Sequence, residues 1–125
     1  MNVPVELKFT KDHEWIRIEG DEAVVGITDY AQSELGEIVF VELPAVGTSL
    51  DQESVFGSVE AVKAVSDLFL PMSGSILEVN QELEDKPELV NESPYENGWM
   101  IRIKLKDLNE SAQLLSSEAY SDLIK

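Results

Sequence analysis

The chain of 125 residues contains no cysteine and a single histidine, His13. The absence of cysteine excludes disulfide bonds, thiolate metal ligands and a cysteine nucleophile. One histidine cannot build a zinc site of the usual His and Cys kind, although a carboxylate site for Ca²⁺ is not excluded. The G-x-S-x-G, P-loop and G-x-G-x-x-G motifs are also missing, so we expect a protein that is not itself an enzyme.

Long apolar runs are missing as well. The longest, such as Ile38–Val41 and Leu68–Met72, are far too short to span a bilayer. The N-terminus has neither the basic and apolar regions of a signal peptide nor the Arg- and Ser-rich pattern of a transit peptide. We therefore expect a cytoplasmic location, or the mitochondrial matrix if the chain is a processed form.

Basic residues are scarce, because 9 Lys and Arg stand against 25 Asp and Glu, for a formal charge of −16. Such a chain repels phosphate backbones and anionic lipid, so we expect neither nucleic acid nor a membrane as a partner. The acidity fits brief docking onto a basic patch of another protein, or solubility alone, and composition does not separate the two.

The 43% hydrophobic and 27% charged residues have a globular balance, and alternating apolar and polar residues predict a mainly β fold. A short helix is predicted at 28–36, where Thr28 or Asp29 can cap the start and Gly36 the end. Residues 80–98 are polar and predict a surface loop with one helical turn. Strands are predicted at 14–18, 22–27, 38–43, 55–62, 64–70, 75–79 and 99–105.

The C-terminal tail changes its period. Its apolar residues recur every three or four positions, which predicts a helix with one buried stripe formed by Leu108, Ala112, Leu115, Ala119, Tyr120, Leu123 and Ile124. Ser116 or Ser117 could begin a second helical segment. The prediction is a single domain over 1–125, a β-sandwich or flattened barrel with its core at about 6–105 and a helical tail at about 107–125.

One segment, 57–67, combines two β-branched runs around a single lysine, Lys63, without a Gly, Pro or Asn at the reversal. A type I turn accepts most residues, so a hairpin tip is possible there. Glu60 and Asp67 flank the lysine. From spacing alone, Lys63 is a solvated turn residue between two acids.

The surrounding motifs change that interpretation. The sequence SVEAVKAVSD at 58–67, followed by PMSG, resembles the lipoyl-lysine hairpin of the glycine cleavage system H-protein family. The resemblance covers nearly the whole chain, in order and spacing. Its other parts are HEW at 13–15, GITDYAQSELGEIVFVELPAVG at 26–47, EVN at 78–80 and LVNESPYENGW at 89–99.

The resemblance implies a hybrid barrel-sandwich fold with lipoic acid joined to Lys63 as an amide. Glu14 and Asp67 match positions that lie near the bound arm in the family. The chain departs little from the sequence pattern of the family. Ala61 stands where many members have Ser, and residues 68–70 are more apolar than is usual there.

The implied function is that of a non-catalytic carrier. The arm would accept an aminomethyl group from a pyridoxal-phosphate glycine decarboxylase and present it to a tetrahydrofolate-dependent aminomethyltransferase. A dihydrolipoamide dehydrogenase would then reoxidise the arm. A lipoyl-attaching enzyme is the fourth implied partner, and a monomer forming transient complexes is expected.

Three alternatives stay open. A biotin carrier also places a lysine on such a hairpin, but that family usually has Met on both sides of it, where this chain has Val62 and Ala64. H-like proteins can also act as relays that donate lipoyl groups to 2-oxoacid dehydrogenase subunits. An unmodified β-sandwich adaptor is the third alternative, and it predicts no added mass at Lys63.

Overall fold

The computed structural model describes residues 2–125. Within them, the strands are β1 (Lys8–Phe9), β2 (Glu14–Glu19), β3 (Glu22–Ile27), β4 (Ile38–Glu42), β5 (Ser49–Leu50), β6 (Val55–Ala61), β7 (Val65–Phe69), β8 (Gly74–Val79) and β9 (Ile101–Leu105). The helices are α1 (Asp29–Leu35), α2 (Glu82–Asp85), α3 (Leu89–Glu92) and α4 (Ser117–Leu123), with a 3-10 helix at Leu108–Gln113. The seven predicted strands are all present, whereas β1 and β5 were not predicted. Two-residue strands are too short to show alternation.

The strands form two antiparallel sheets. One has six strands in the order β1-β2-β3-β9-β8-β5, and the other has three in the order β4-β6-β7. The two sheets face each other without closing into a barrel. The mainly β fold, a barrel-sandwich hybrid with short helices, is confirmed.

The main core lies between the sheets because their strands alternate. In β9, Ile101, Ile103 and Leu105 are buried, while Arg102 and Lys104 face outward. The three-stranded sheet contributes buried side chains such as Val59 and Leu68 to the same cluster. Burying one such aliphatic side chain stabilises the fold by about 1.5–3 kcal/mol, so the core fixes which face of each strand points to solvent.

Helix α1 has both of the predicted caps. The Thr28 hydroxyl accepts a hydrogen bond from the Ala31 amide at 3.1 Å. At the other end, Gly36 has a φ of 83° and its amide donates to the Gln32 carbonyl at 2.9 Å. These local bonds satisfy end groups that the helix itself leaves unpaired.

The single buried stripe predicted for the tail is wrong. Leu108 and Leu123 are exposed, and Tyr120 is the tail's fully buried side chain. The tail is broken because Leu114 is extended and the backbone of Leu115 pairs with that of Phe9 at 2.7 and 2.8 Å. These long-range bonds replace those of a continuing helix. The second segment begins as predicted, with Ser116 as its cap.

Residues 80–98 contain two short helices rather than the predicted loop with one turn. α2 buries Leu83 and α3 buries Val90, while Pro87 separates them. A proline disfavours helical geometry in the residue before it, so one continuous helix is excluded. In the described part of the chain, no helix is long and apolar enough to cross a membrane.

Candidate lysine hairpin and carboxylate cavity

The turn between β6 and β7 carries Lys63 at the tip of a hairpin. The Ala61 amide donates to the Ala64 carbonyl at 2.7 Å, which closes a two-residue turn formed by Val62 and Lys63. Neither turn residue has a positive φ. The strands behind the tip pair in register, with Glu60 opposite Val65 and Ser58 opposite Asp67.

The Lys63 side chain is exposed, and within residues 2–125 its ammonium group has no hydrogen bond or ion pair. Its stem lies over Gly36, where Cε is 3.4 Å from the position that a Cβ at residue 36 would occupy. Between Arg17 and Lys86 it is the sequence's one basic residue. The amine is therefore chemically free and accessible to another protein.

Glu14 begins β2 and is only 1% exposed. Its Oε1 accepts a hydrogen bond from the Thr10 hydroxyl at 2.7 Å, and its Oε2 accepts one from the Phe69 amide at 3.1 Å. The second bond joins the six-stranded sheet to β7, the strand that leads away from Lys63. Glu14 is thus a buried acid that is hydrogen-bonded to β7, the second strand of the lysine hairpin.

Burial raises the pKa of Glu14 to about 8, because the charged carboxylate is poorly solvated there. The bonds from Thr10 and Phe69 oppose this shift, and the negative charge of Asp12 adds to it. A carboxyl group with this pKa carries its proton for most of the time at pH 7. Glu14 can therefore exchange a proton in the neutral range.

Glu14 lines a cavity of about 190 Å³. The end of β7 contributes Phe69, the loop before β2 contributes Thr10 and Lys11, and the tail contributes Leu114. Polar and apolar groups both face the space. It can hold a small apolar chain that ends in a polar group.

Asp67 is exposed and lies on β7 between the hairpin tip and the cavity. Because side chains alternate along a strand, Val65, Asp67 and Phe69 share one face. Four residues of strand span about 13 Å, so this face leads from the Lys63 tip to the cavity. The structure thus associates both predicted acids with β7, one buried beside the cavity and one exposed on its approach.

The same face of the three-stranded sheet exposes apolar side chains. Phe40 is 52% exposed and Val65 is 68% exposed, and both lie opposite Glu60 in the sheet register. By contrast, Arg17 and Arg102 lie on the six-stranded sheet, where each pairs with Glu19 at 2.8 and 3.1 Å respectively. The lysine hairpin therefore projects from an acidic and partly apolar surface.

Thr10 and Gly36 are site residues that sequence reasoning missed. The sequence predicts Gly36 as a helix stop, but its contact with Lys63 depends on how α1 packs against the hairpin. Thr10 had no sequence signal, because its bond to Glu14 depends on the bend between β1 and β2. In residues 2–125, no group of three or more His, Cys, Asp or Glu side chains could hold a metal ion.

Comparison with known proteins gives one consistent result. The family model described as "Glycine cleavage H-protein" matches residues 7–125. The chain is 59% identical to the glycine cleavage system H protein of Geobacillus thermodenitrificans over 124 residues, which is 99% of this chain and 98% of that protein. It is 55% identical to the H protein of Staphylococcus carnosus, with the same coverage.

A solved structure agrees with the sequence comparisons. The crystal structure of a glycine cleavage system H protein from Mycobacterium marinum superposes with a TM-score of 0.86 at 37% identity. The match covers 96% of this chain and 97% of that one. On the matches in sequence and in fold, the chain belongs to the glycine cleavage H-protein family.

Proposed function

We propose that this protein is the lipoyl carrier of a glycine cleavage system and that lipoic acid is attached to Lys63. One observation carries the proposal: in a chain of the H-protein family, an exposed and unpaired lysine stands at the tip of a two-residue hairpin turn. The strands behind the tip place this lysine at the end of the hairpin, where its amine is exposed beside Gly36.

The residues around Lys63 fit a lipoyl amide. Forming the amide removes the lysine charge and takes the protein from −16 to −17. Since the ammonium has no ion pair among residues 2–125, no stabilising interaction is lost when the charge disappears. The exposed turn also leaves room for an attaching enzyme to reach Nζ.

Lipoic acid supplies a cyclic disulfide that can be opened, loaded with an aminomethyl group and closed again. We infer that the partners are a glycine decarboxylase, an aminomethyltransferase, a dihydrolipoamide dehydrogenase and a lipoyl-attaching enzyme. The chain's own part is to present the arm to each of them and to shield its cargo between visits. No step of that cycle requires a catalytic side chain here.

Glu14 and Asp67 are assigned the shielding role. The amine of an aminomethyl cargo is a cation near neutral pH, and a neighbouring carboxylate favours that form. Glu14 would release its proton on meeting the cation and then pair with it in the cavity. Asp67 adds negative charge along the face of β7 that leads from the Lys63 tip to the cavity. Burial excludes water at Glu14, which is what protection of a hydrolysable cargo requires.

Intact mass after expression in a lipoylating bacterial host tests the proposal. We expect an increase of about 188 Da that peptide mapping places on Lys63, as for one amide-linked lipoyl group. Lys63→Arg should remove the added mass and all glycine cleavage activity, because a guanidinium does not form this amide. As an exposed substitution, it should change the free energy of unfolding by less than about 0.5 kcal/mol.

Lys86→Arg is the matched control, because Lys86 is another exposed lysine outside the hairpin. It should keep both the added mass and the activity. An unmodified wild-type protein, or glycine cleavage by the Lys63→Arg variant, would refute the assignment.

A further inference from the structure

The turn that carries Lys63 is closed by the Ala61–Ala64 hydrogen bond, but its backbone is not of the kind that two-residue hairpins favour. Two-residue hairpins favour turn types with a positive φ at one or both turn residues, because those types match the twist of the strands. Val62 and Lys63 both lack a positive φ. Contacts from outside the turn therefore add to the closing bond in holding the tip.

Those contacts come from the segment after α1, residues 36–38. The Val62 amide donates a hydrogen bond to the Glu37 carbonyl at 3.1 Å. The Lys63 stem lies against Gly36, 3.4 Å from where a Cβ would stand. Both turn residues thus rest on this one segment, which we name the tip support.

Backbone pairing holds part of the tip support, since Gly36 donates to Gln32 and Ile38 pairs with Ala61, and the side chain of Asn91 in α3 adds two bonds. Its Nδ2 donates to the Gly36 carbonyl at 2.8 Å, and its Oδ1 accepts from the Ile38 amide at 2.9 Å. The two bonds hold the backbone on both sides of Glu37, the residue that binds Val62. Nδ2 also donates to Gln32 Oε1 at 2.9 Å, which ties the arrangement to α1.

We propose that Asn91 is a positioning residue for the modification of Lys63. By fixing residues 36–38, it keeps the hairpin tip in the one conformation that a lipoyl-attaching enzyme binds. The inference rests on the proposed function and adds to it a residue that never touches the lysine.

The physical consequence is a specific kinetic effect. If the tip samples several conformations, the enzyme binds only the competent fraction, so the apparent KM for the carrier rises by the inverse of that fraction. Once the competent form is bound, the chemistry at Nζ is unchanged, so kcat should stay constant. A variant that is only less stable overall should not raise this KM while the protein remains folded.

Asn91→Asp is the test variant. It keeps the shape and the Oδ1 acceptor, but replaces the Nδ2 donor with an oxygen that faces two other oxygens, the Gly36 carbonyl and Gln32 Oε1. Asn80→Asp is the matched control. Asn80 also donates twice, to the Asn97 and Trp99 carbonyls at 2.8 Å each, and accepts from the Glu82 amide, but none of these partners belongs to the hairpin or the tip support.

Each unlipoylated protein is titrated as the acceptor of a bacterial lipoate–protein ligase with lipoate and ATP, and amide formation is followed by mass. Asn91→Asp should raise KM about tenfold and change kcat less than twofold. Hydrogen exchange of the Val62 amide should speed up about tenfold, because its bond to Glu37 loosens. Asn80→Asp should leave both the KM and the exchange rate of the Val62 amide unchanged, even where urea unfolding shows that it loses as much stability as Asn91→Asp does.

The outcomes separate the two proposals. If the wild-type protein accepts no lipoyl group, the proposed function fails and the inference fails with it. If the wild-type protein is lipoylated but Asn91→Asp leaves KM or Val62 exchange unchanged, or Asn80→Asp raises KM equally, the positioning role alone is overturned. Should Asn91→Asp not fold, Asn91→Ala adds no charge and provides the same two measurements.

Discussion

At the scale of single residues, burial has its largest effect on the pKa of an acid at Glu14. Its carboxyl group is bonded to Thr10 and Phe69, lines a cavity, and has a pKa raised to about 8 by desolvation. The same side chain on an exposed strand would be ionised at every physiological pH. Its position therefore turns an ordinary acid into a group that takes up or releases a proton near neutrality.

This pKa predicts how stability depends on pH. Unfolded Glu14 loses its proton near pH 4.5, whereas the folded protein keeps it up to about pH 8, so in that range the unfolded state binds fewer protons. The contribution to stability is complete below pH 4.5 and is lost as the pH rises to about 8, by about 1 kcal/mol per pH unit.

Glu14→Gln mimics the protonated acid, because its amide can donate to Thr10 and its carbonyl can accept from Phe69. We expect the variant to gain stability relative to the wild-type protein as the pH rises from 5 to 8. Urea unfolding of both proteins at several pH values measures the difference. Parallel curves across this range would show that Glu14 is already ionised at pH 5.

The same residue should govern the lifetime of the cargo. Glu14→Gln removes a buried charge partner and should speed formaldehyde release from the loaded carrier about tenfold, as expected for loss of a charge-assisted hydrogen bond. Asp67→Asn removes an exposed charge, worth at most about fivefold.

The double variant gives the clearest comparison, and Glu60→Gln is its control, since Glu60 is another exposed acid of the same hairpin. All of these proteins should be lipoylated normally. A double variant that retains its cargo as long as the wild-type protein does would exclude these acids from the shielding role.

At the scale of elements, one chain of hydrogen bonds joins α4 to the residue before β2 and to the residue between β3 and α1. Tyr120 of α4 is fully buried, and its hydroxyl lies 2.7 Å from Thr28 Oγ1 and 2.8 Å from His13 Nδ1. Thr28 is also the cap of α1. Desolvation lowers the pKa of His13, which favours the neutral ring that can accept from the tyrosine. The docking of α4 therefore depends on the same residue that begins α1.

Tyr120→Phe keeps the ring, which stacks on Phe9 with centroids 4.7 Å apart, but deletes the hydroxyl. It leaves the buried Thr28 hydroxyl with one partner fewer and should lower the free energy of unfolding by about 1–3 kcal/mol. Tyr30→Phe makes the same change on a partly exposed face of α1 and should have little effect. Denaturant unfolding tests both variants, and equal stabilities would show that packing alone holds α4.

At the scale of the whole molecule, the basic side chains are unevenly distributed between the two sheets. Arg17, Arg102 and Lys104 are paired with acids on the six-stranded sheet. The three-stranded sheet exposes Glu42, Glu60 and Asp67, and at its tip only Lys63 is basic. The proposed amide at Lys63 would remove the one basic side chain that the described residues place at this tip. The field at this end of the molecule favours partners with a basic surface.

The acids of the three-stranded sheet, which have no ion pair among residues 2–125, predict a salt effect on the carrier's encounters with its partners. The KM of the aminomethyltransferase for the loaded carrier should rise about tenfold between low salt and about 0.5 M NaCl, because screening removes long-range attraction. The double variant Glu42→Gln/Glu60→Gln should weaken this salt dependence. Glu118→Gln/Asp122→Asn removes the same charge from α4 and should weaken it less. Equal effects of the two double variants would mean that only net charge matters.

Features of this protein that depend on residues close together in the chain could be predicted from the amino-acid sequence. Alternation predicts strands because side chains one residue apart point to opposite faces, and the caps of α1 lie within a few residues of the bonds they make. Lys63 could be singled out because the motifs around it are contiguous in the chain. The net charge follows from composition alone.

The remaining features required the folded structure, because they depend on contacts between residues that are far apart in the chain. Glu14 meets Phe69 across 55 positions, and Ile38 meets Asn91 across 53. The bridge between Phe9 and Leu115 overrides the helical period of the tail. No local pattern shows which distant groups will share a buried space. The proton affinity of Glu14 and the support of the lysine tip are therefore properties of the packed fold, since burial and long-range hydrogen bonds arise only when the two sheets and the tail come together.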